Sequence, residues 1–230
     1  TGYVPALMVL GVVLLVICAK YSFSPAVALP RVPAAGMLYF LTTVVAGFLF
    51  VVYGGARLES QGLEVRASQE LEHLVAARIP ITGDREQLDA VIHRFTDAVL
   101  ADPENADAWI GLSAAICQTY YRNPGVFQRT GARALAAAER AYELCPEYWR
   151  SSAQLGMAHA LRGDLEAAGS AFARAVKMAP NSSAANYYFA AFLTLSGGSS
   201  DLARHHIDHA LAIDPDSPVA QQLQRRISAF

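Results

Sequence analysis

Proline stands at 103, 146, 180 and 215, and five residues before each one stands an alanine, at 98, 141, 175 and 210. Three residues further back come Phe95, Ala138, Phe172 and Ile207, and four before those come Val91, Ala134, Ala168 and Ala203. The last three prolines are 34 and 35 residues apart. Each ladder runs at helical spacing, so its rungs share one face of a helix. Small residues at fixed rungs mean that another backbone comes close there, and the proline ends the helix. A repeat of this length specifies helix pairs that stack, because one pair alone cannot bury its apolar face.

Further rungs precede these: Leu155, Gly156 and Gly163 in one unit, Phe189, Ala190 and Gly198 in the next. Over about residues 84–216 the pattern resembles the tetratricopeptide-repeat family. The resemblance implies that Gly156 and Ala168 lie where the two helices of a pair cross. Ala175 would then meet the following repeat, Phe172 would fill the larger gap, and Gly163-Asp164 would turn between helices. Two departures stand out. From Trp109, at the aromatic opening position, to Ala134 the chain is about nine residues longer than expected, around "TYYRNPGVFQRTG", residues 119–131. The leading unit, with an opening helix roughly from Leu63 to Arg78, lacks the Trp-Leu-Gly signature. Pro218 to Ala229 reads as an amphipathic capping helix. The fold class expected is all-α: about three repeats of an α-solenoid, a degenerate leading unit and a cap.

Charge is unevenly spread. Charged residues make up 17% of the chain, against about 25% in ordinary soluble proteins. The deficit is local: residues 1–19 and 32–56 carry no charged side chain. Each run meets the roughly 20 apolar residues needed to cross a bilayer core. Lys20, Arg31 and Arg57 flank the runs, and Tyr3, Tyr21, Tyr39 and Tyr53 stand near their ends, where amphipathic rings prefer the interface. Pro25 and Pro30 stiffen the link. The expectation is a two-helix transmembrane hairpin over residues 1–57, with spans at about 3–20 and 33–56, followed by the solenoid over 58–230. Ala26-Val27-Ala28 resembles a signal-peptide cleavage site, but no positive region precedes the first run. Lys20 and Arg31 balance Arg57 and Arg66, so the positive-inside rule gives a tie. A short insertion with both ends inside favours a cytoplasmic solenoid. The alanine-rich, lysine-poor composition points to a bacterial inner membrane.

Reactive chemistry is scarce. Cys18, Cys117 and Cys145 have no C-x-x-C spacing. The net charge of −2 is scattered, which excludes a nucleic-acid surface. In "DLARHHIDHA", His205 and His209 lie four apart and could ligate zinc. The alternative is a solvated face, since Ala203, Ile207 and Ala210 define the buried side and both histidines point away from it. Neither catalytic residues nor a cofactor is expected.

Function therefore rests on surfaces. The resemblance implies a groove lined by the first helix of each repeat: Asp107, Ile110, Ala114 and Gln118, then Arg150, Ala153, Met157 and Leu161, then Ala184, Tyr187, Ala191 and Thr194. It lacks the Lys and Asn set with which chaperone-binding relatives clamp a C-terminal carboxylate. The 119–131 insertion, read as a loop projecting near this groove, carries Tyr120, Tyr121, Arg122 and Phe127, types enriched in interface hot spots. Thr42, Thr43, Ala46 and Gly47 form a small-residue stripe for another membrane helix or for the hairpin's own first helix. The leading expectation is a membrane-tethered adaptor that binds a protein partner and assembles or stabilises a membrane complex. Alternatives are a structural accessory subunit of a respiratory, transport, exopolysaccharide or secretion complex, held mainly through its hairpin, and a metal-binding accessory protein using the histidine face.

Overall fold

The computed structural model describes residues 34–76, 84–122 and 124–228, and all of these lie in helices or the short links between them. Nine helices occur among them: α1 (Ala34–Ala76), α2 (Asp84–Ala101), α3 (Ala106–Arg122), α4 (Pro124–Leu144), α5 (Trp149–Leu161), α6 (Leu165–Met178), α7 (Ser183–Leu195), α8 (Ser200–Ile213) and α9 (Pro218–Ile227). The chain divides into two units between Ala56 and Arg57.

In the first unit, Val44, Val45, Phe48, Leu49, Phe50, Val51, Val52 and Tyr53 of α1 are all exposed. The stretch Thr42–Glu72 is long and apolar enough to cross a membrane, and its apolar window is not buried within the protein. The expected span at 3–20 lies outside the described residues. The helix that carries the expected second span does not stop at residue 56: α1 runs on through Gly54, Gly55 and Gly62 to Ala76, absorbing the leading helix expected from Leu63. A glycine costs a helix about 1 kcal/mol relative to alanine, too little to break one with good helix formers on either side.

The second unit is a stack of helix pairs. Helix α3 packs on α4, α5 on α6 and α7 on α8, and each pair meets the next. Its core is small-residue packing around a few large rings. Phe172 of α6 is buried against α5, where a Cβ added to Gly156 would lie 3.0 Å from three ring carbons. Phe95 of α2 does the same to α3: a Cβ on Gly111 would stand 2.1 Å from its Cε1. Glycine is required at both places because the rings occupy the volume of a side chain. The leading unit compensates for its missing signature with a polar clasp. Buried Ser60 donates to the Ala98 carbonyl at 2.9 Å and accepts from Asn105 Nδ2 at 3.0 Å. Ala67 is fully buried beside it in the same apolar cluster as Val91 and Phe95.

The turns follow local chemistry. Gly163 adopts φ +86°, a conformation that costs other residues strain, and Asp164 then caps α6 by accepting from the Ala167 N–H at 3.2 Å. Ser182 and Ser199 cap α7 and α8 in the same way.

The insertion is not a loop. Helix α3 continues to Arg122 and α4 begins at Pro124, so they run 17 and 21 residues where α5 and α6 run 13 and 14. The extra residues lengthen α3 by about one turn and α4 by about two. Proline at a first helical position gives up no hydrogen bond and presets φ. Continuing the helices also pairs backbone groups that a loop would leave to water.

Candidate functional site: a cleft across three helices

The first helices of successive pairs, α3, α5 and α7, lie side by side. Between them opens a cleft of about 490 Å³. Helix α3 contributes Ile110, Ala114, Cys117 and Gln118, helix α5 Trp149, Arg150, Ala153, Gln154 and Met157, and helix α7 Ala184 and Tyr188. Ala114, Ala153 and Ala184 leave room that longer side chains would fill. The lining is thus an apolar and aromatic wall with a few polar groups, the usual make-up of a binding cleft.

Arg150 is the cationic group of that lining. Its Nη1 lies 3.3 Å from Tyr148 Oη and 3.9 Å from Asp107 Oδ1. Burial alone would lower its pKa, but Tyr148, Asp107 and Tyr188 together raise it, so the guanidinium keeps its charge. Both members of the Arg150–Asp107 pair are half exposed, and a pair of that kind contributes little. One turn further along α5, Gln154 Nε2 donates to Ser113 Oγ at 3.0 Å and lies 3.6 Å from Cys117 Sγ. Burial pushes the Cys117 thiol up to about 12, and the neighbouring Ser113 and Gln154 side chains oppose it only in part.

Seven of the residues expected in a groove meet in this cleft: Ile110, Ala114, Gln118, Arg150, Ala153, Met157 and Ala184. Asp107 stands beside Arg150. Leu161 packs against the apolar cluster that holds Phe95 and Ile116, whereas Tyr187 and Ala191 pack against the one that holds Phe172 and Ile207. Thr194 donates to the Ala190 carbonyl at 2.8 Å. Trp149, Gln154, Cys117 and Tyr188 escaped the sequence reading. Helical spacing held the signal for all four: Gln154 follows Arg150 by four residues, Tyr188 follows Ala184 by four, Trp149 precedes Ala153 by four and Cys117 follows Ala114 by three.

Of the insertion residues, Tyr120 is exposed; Tyr121 and Arg122 fall in the last turn of α3, and Phe127 in the first turn of α4. Thr42, Thr43, Ala46 and Gly47 are exposed on α1, and a Cβ on Gly47 would meet nothing within 4 Å. On α8, His205 is exposed, His206 Nδ1 lies 2.8 Å from Asn186 Oδ1, and His209 Nε2 lies 3.2 Å from the Pro180 carbonyl. Among the described residues no group of three or more His, Cys, Asp or Glu side chains is placed to hold a metal ion.

No family model and no curated protein sequence matches the chain. Solved structures do. That of TTC0263, a thermophilic tetratricopeptide-repeat protein of Thermus thermophilus, aligns with a TM-score of 0.60 at 18% identity, over 74% of this chain and 80% of that one. A MamA structure aligns with a TM-score of 0.49 at 16% identity, over 76% and 82%. That of YrrB, described as a tetratricopeptide-repeat protein with an unusual peptide-binding site, gives a TM-score of 0.39 at 21% identity, over 61% and 84%. At such identities likeness speaks for the fold alone. The first of the three places the helix pairs among tetratricopeptide-repeat-like α-solenoids.

Proposed function

We propose that the chain is a membrane-tethered adaptor which holds a protein partner in the α3–α5–α7 cleft and so assembles or stabilises a membrane complex. The observation that carries this reading is the cleft itself, built from equivalent helices of three consecutive pairs and lined by apolar, aromatic and a few polar groups. Tethering is supported by the exposed apolar side chains of α1 and the length of its apolar stretch. A hairpin over residues 1–57 would place the solenoid of residues 58–230 beside other membrane subunits, in a bacterial inner membrane with the solenoid on the cytoplasmic side. The insertion residues Tyr120, Tyr121, Arg122 and Phe127 would extend the partner contact beyond the cleft. The role is binding rather than catalysis: Cys117, the nucleophile type in the lining, is held protonated by burial.

The test is capture from membranes in mild detergent with the wild type, Ala114→Arg and a chain lacking residues 1–56. Ala114 is half-buried in the cleft wall, so arginine there fills the cleft without entering the core. Loss of the partner in Ala114→Arg, with unchanged melting, is the expected result. A partner kept by Ala114→Arg and lost with residues 1–56 would make the hairpin the contact and overturn the reading.

A further inference from the structure

The amide of Gln154 has one permitted orientation. Ser113 uses its hydroxyl hydrogen on the Ala134 carbonyl, at 2.8 Å, so its oxygen can only accept from Gln154. Turning the amide over would set two acceptors against each other. The second contact of Nε2, Cys117, offers a weakly accepting sulfur. Ser113 and Cys117 are both buried. The nitrogen of Gln154 is therefore committed to the wall, and Oε1 is the polar atom left for the cleft. Among the described residues no group hydrogen-bonds Oε1, and Gln154, half-buried, lines the cleft.

This fixed acceptor stands among apolar neighbours, Ala114, Ala153 and Met157, with Trp149 and Tyr188 as aromatic walls. Such a pocket rewards a large apolar group that also carries one hydrogen-bond donor. A serine or threonine is too small for about 490 Å³, and a lysine would bring a second positive charge beside Arg150. The guanidinium has five N–H donors, of which the contacts to Tyr148 and Asp107 occupy only one nitrogen. The rest can meet a carboxylate in a forked geometry.

We propose that the cleft takes a peptide segment of a partner protein anchored by a tyrosine or tryptophan side chain that donates to Gln154 Oε1, with a neighbouring acidic residue paired to Arg150. This rests on the adaptor reading and names the chemistry of its partner. Gln154 is then the specificity-determining residue, because a site built to pair a donor rejects the analogue that lacks one.

The probe is a random dodecapeptide display library, selected against the full chain in detergent micelles. Enriched peptides are expected to share a Tyr or Trp next to Asp or Glu. Replacing that Tyr by Phe, or Trp by a phenylalanine-type ring without N–H, should weaken binding to wild type on the order of tenfold. The same replacement should change little in Gln154→Met, which keeps the size of the side chain and removes the acceptor. Arg150→Gln should flatten both the preference for acidic neighbours and the salt dependence. Equal binding of the Tyr and Phe peptides to wild type overturns the inference, and that comparison needs no variant to fold. Enrichment of basic peptides or purely aliphatic anchors overturns it too, while leaving the cleft as the binding surface. If no peptide is enriched the inference falls, and capture with Ala114→Arg then decides separately whether the adaptor reading falls with it.

Discussion

A methyl group added to Gly111 would sit 2.1 Å from Cε1 of Phe95, and one added to Gly156 would sit 3.0 Å from the ring of Phe172. Both rings are buried, so neither can swing into solvent to make room. Gly111→Ala is therefore expected to destabilise by about 1–3 kcal/mol, and more than Gly156→Ala, whose contact needs only a few tenths of an ångström. Gly156→Leu, which inserts a whole isobutyl group, should cost a similar 1–3 kcal/mol, on the order of other overpacked cores. Urea midpoints at unchanged m-value check all three. An undisturbed Gly111→Ala would mean that Phe95 does not fill that space. His206 gives a pH prediction. Burial lowers its pKa below 6.5, with His205 and His209 adding to the effect, and it faces Asn186 and the ring of Phe189. Below pH 6.5 the unfolded chain binds the proton more readily than the folded one, so stability falls as pH drops from 6.5 toward the folded pKa. Denaturation midpoints should show that slope, and His206→Gln should reduce it. Gly156 and Phe172 were legible in the sequence because repeat register fixes their rungs. The bond from Gln154 to Ser113 was not, because a partner 41 residues away depends on side-chain rotamers rather than on spacing.

Between elements, the hardest feature to read was the 119–131 segment. Pro124-Gly125 between aromatic residues has the composition of a turn, and local composition cannot tell a proline that breaks a helix from one that starts it. What decides is the surrounding fold: α3 and α4 pack on each other, and lengthening both continues their backbone pairing. The expected outcome of deleting residues 121–129 follows. Tyr120 would then join Thr130, leaving buried Thr119 and Gly131 in place and restoring the repeat to ordinary length. Far-ultraviolet ellipticity should fall by the few helical residues removed, and melting should shift by only a few degrees. Partner capture should weaken if Tyr121, Arg122 and Phe127 contribute contact. Collapse of the helical signal instead would make this extension part of the core, and the cleft alone would then carry the binding.

For the chain as a whole, the repeat made the solenoid legible and the charge-free runs singled out the apolar stretch of α1, but neither named the contacts that residues 57–76 make. Those contacts come from Ser60, Ala67 and Glu70, which lie on α1 within the expected solenoid: Ser60 bonds Ala98 and Asn105, Ala67 is fully buried, and Glu70 pairs with Arg94 of α2. No periodic signature marks these residues, because a leading unit that meets neighbours on one side alone is released from the repeat pattern. Two truncations separate the roles. A fragment from Arg57 to Phe230 keeps every one of those contacts and sheds the exposed apolar residues from Val44 to Tyr53. It should stay in solution after ultracentrifugation, melt cooperatively, and retain binding of the selected peptides. A fragment beginning at Asp84 takes Leu63, Ala67 and Leu71 away from the apolar cluster that holds Leu88, Val91 and Val99, and leaves the Ala98 carbonyl and Asn105 without Ser60. It should melt several degrees lower, since exposing that much apolar surface and losing a buried hydrogen bond each cost on the order of 1 kcal/mol or more. The full chain, in contrast, should stay with carbonate-washed membranes until detergent is added. Recovery of the full chain in the soluble fraction without detergent would refute tethering. Equal melting of the two fragments would show that residues 57–76 belong to the anchor and not to the solenoid.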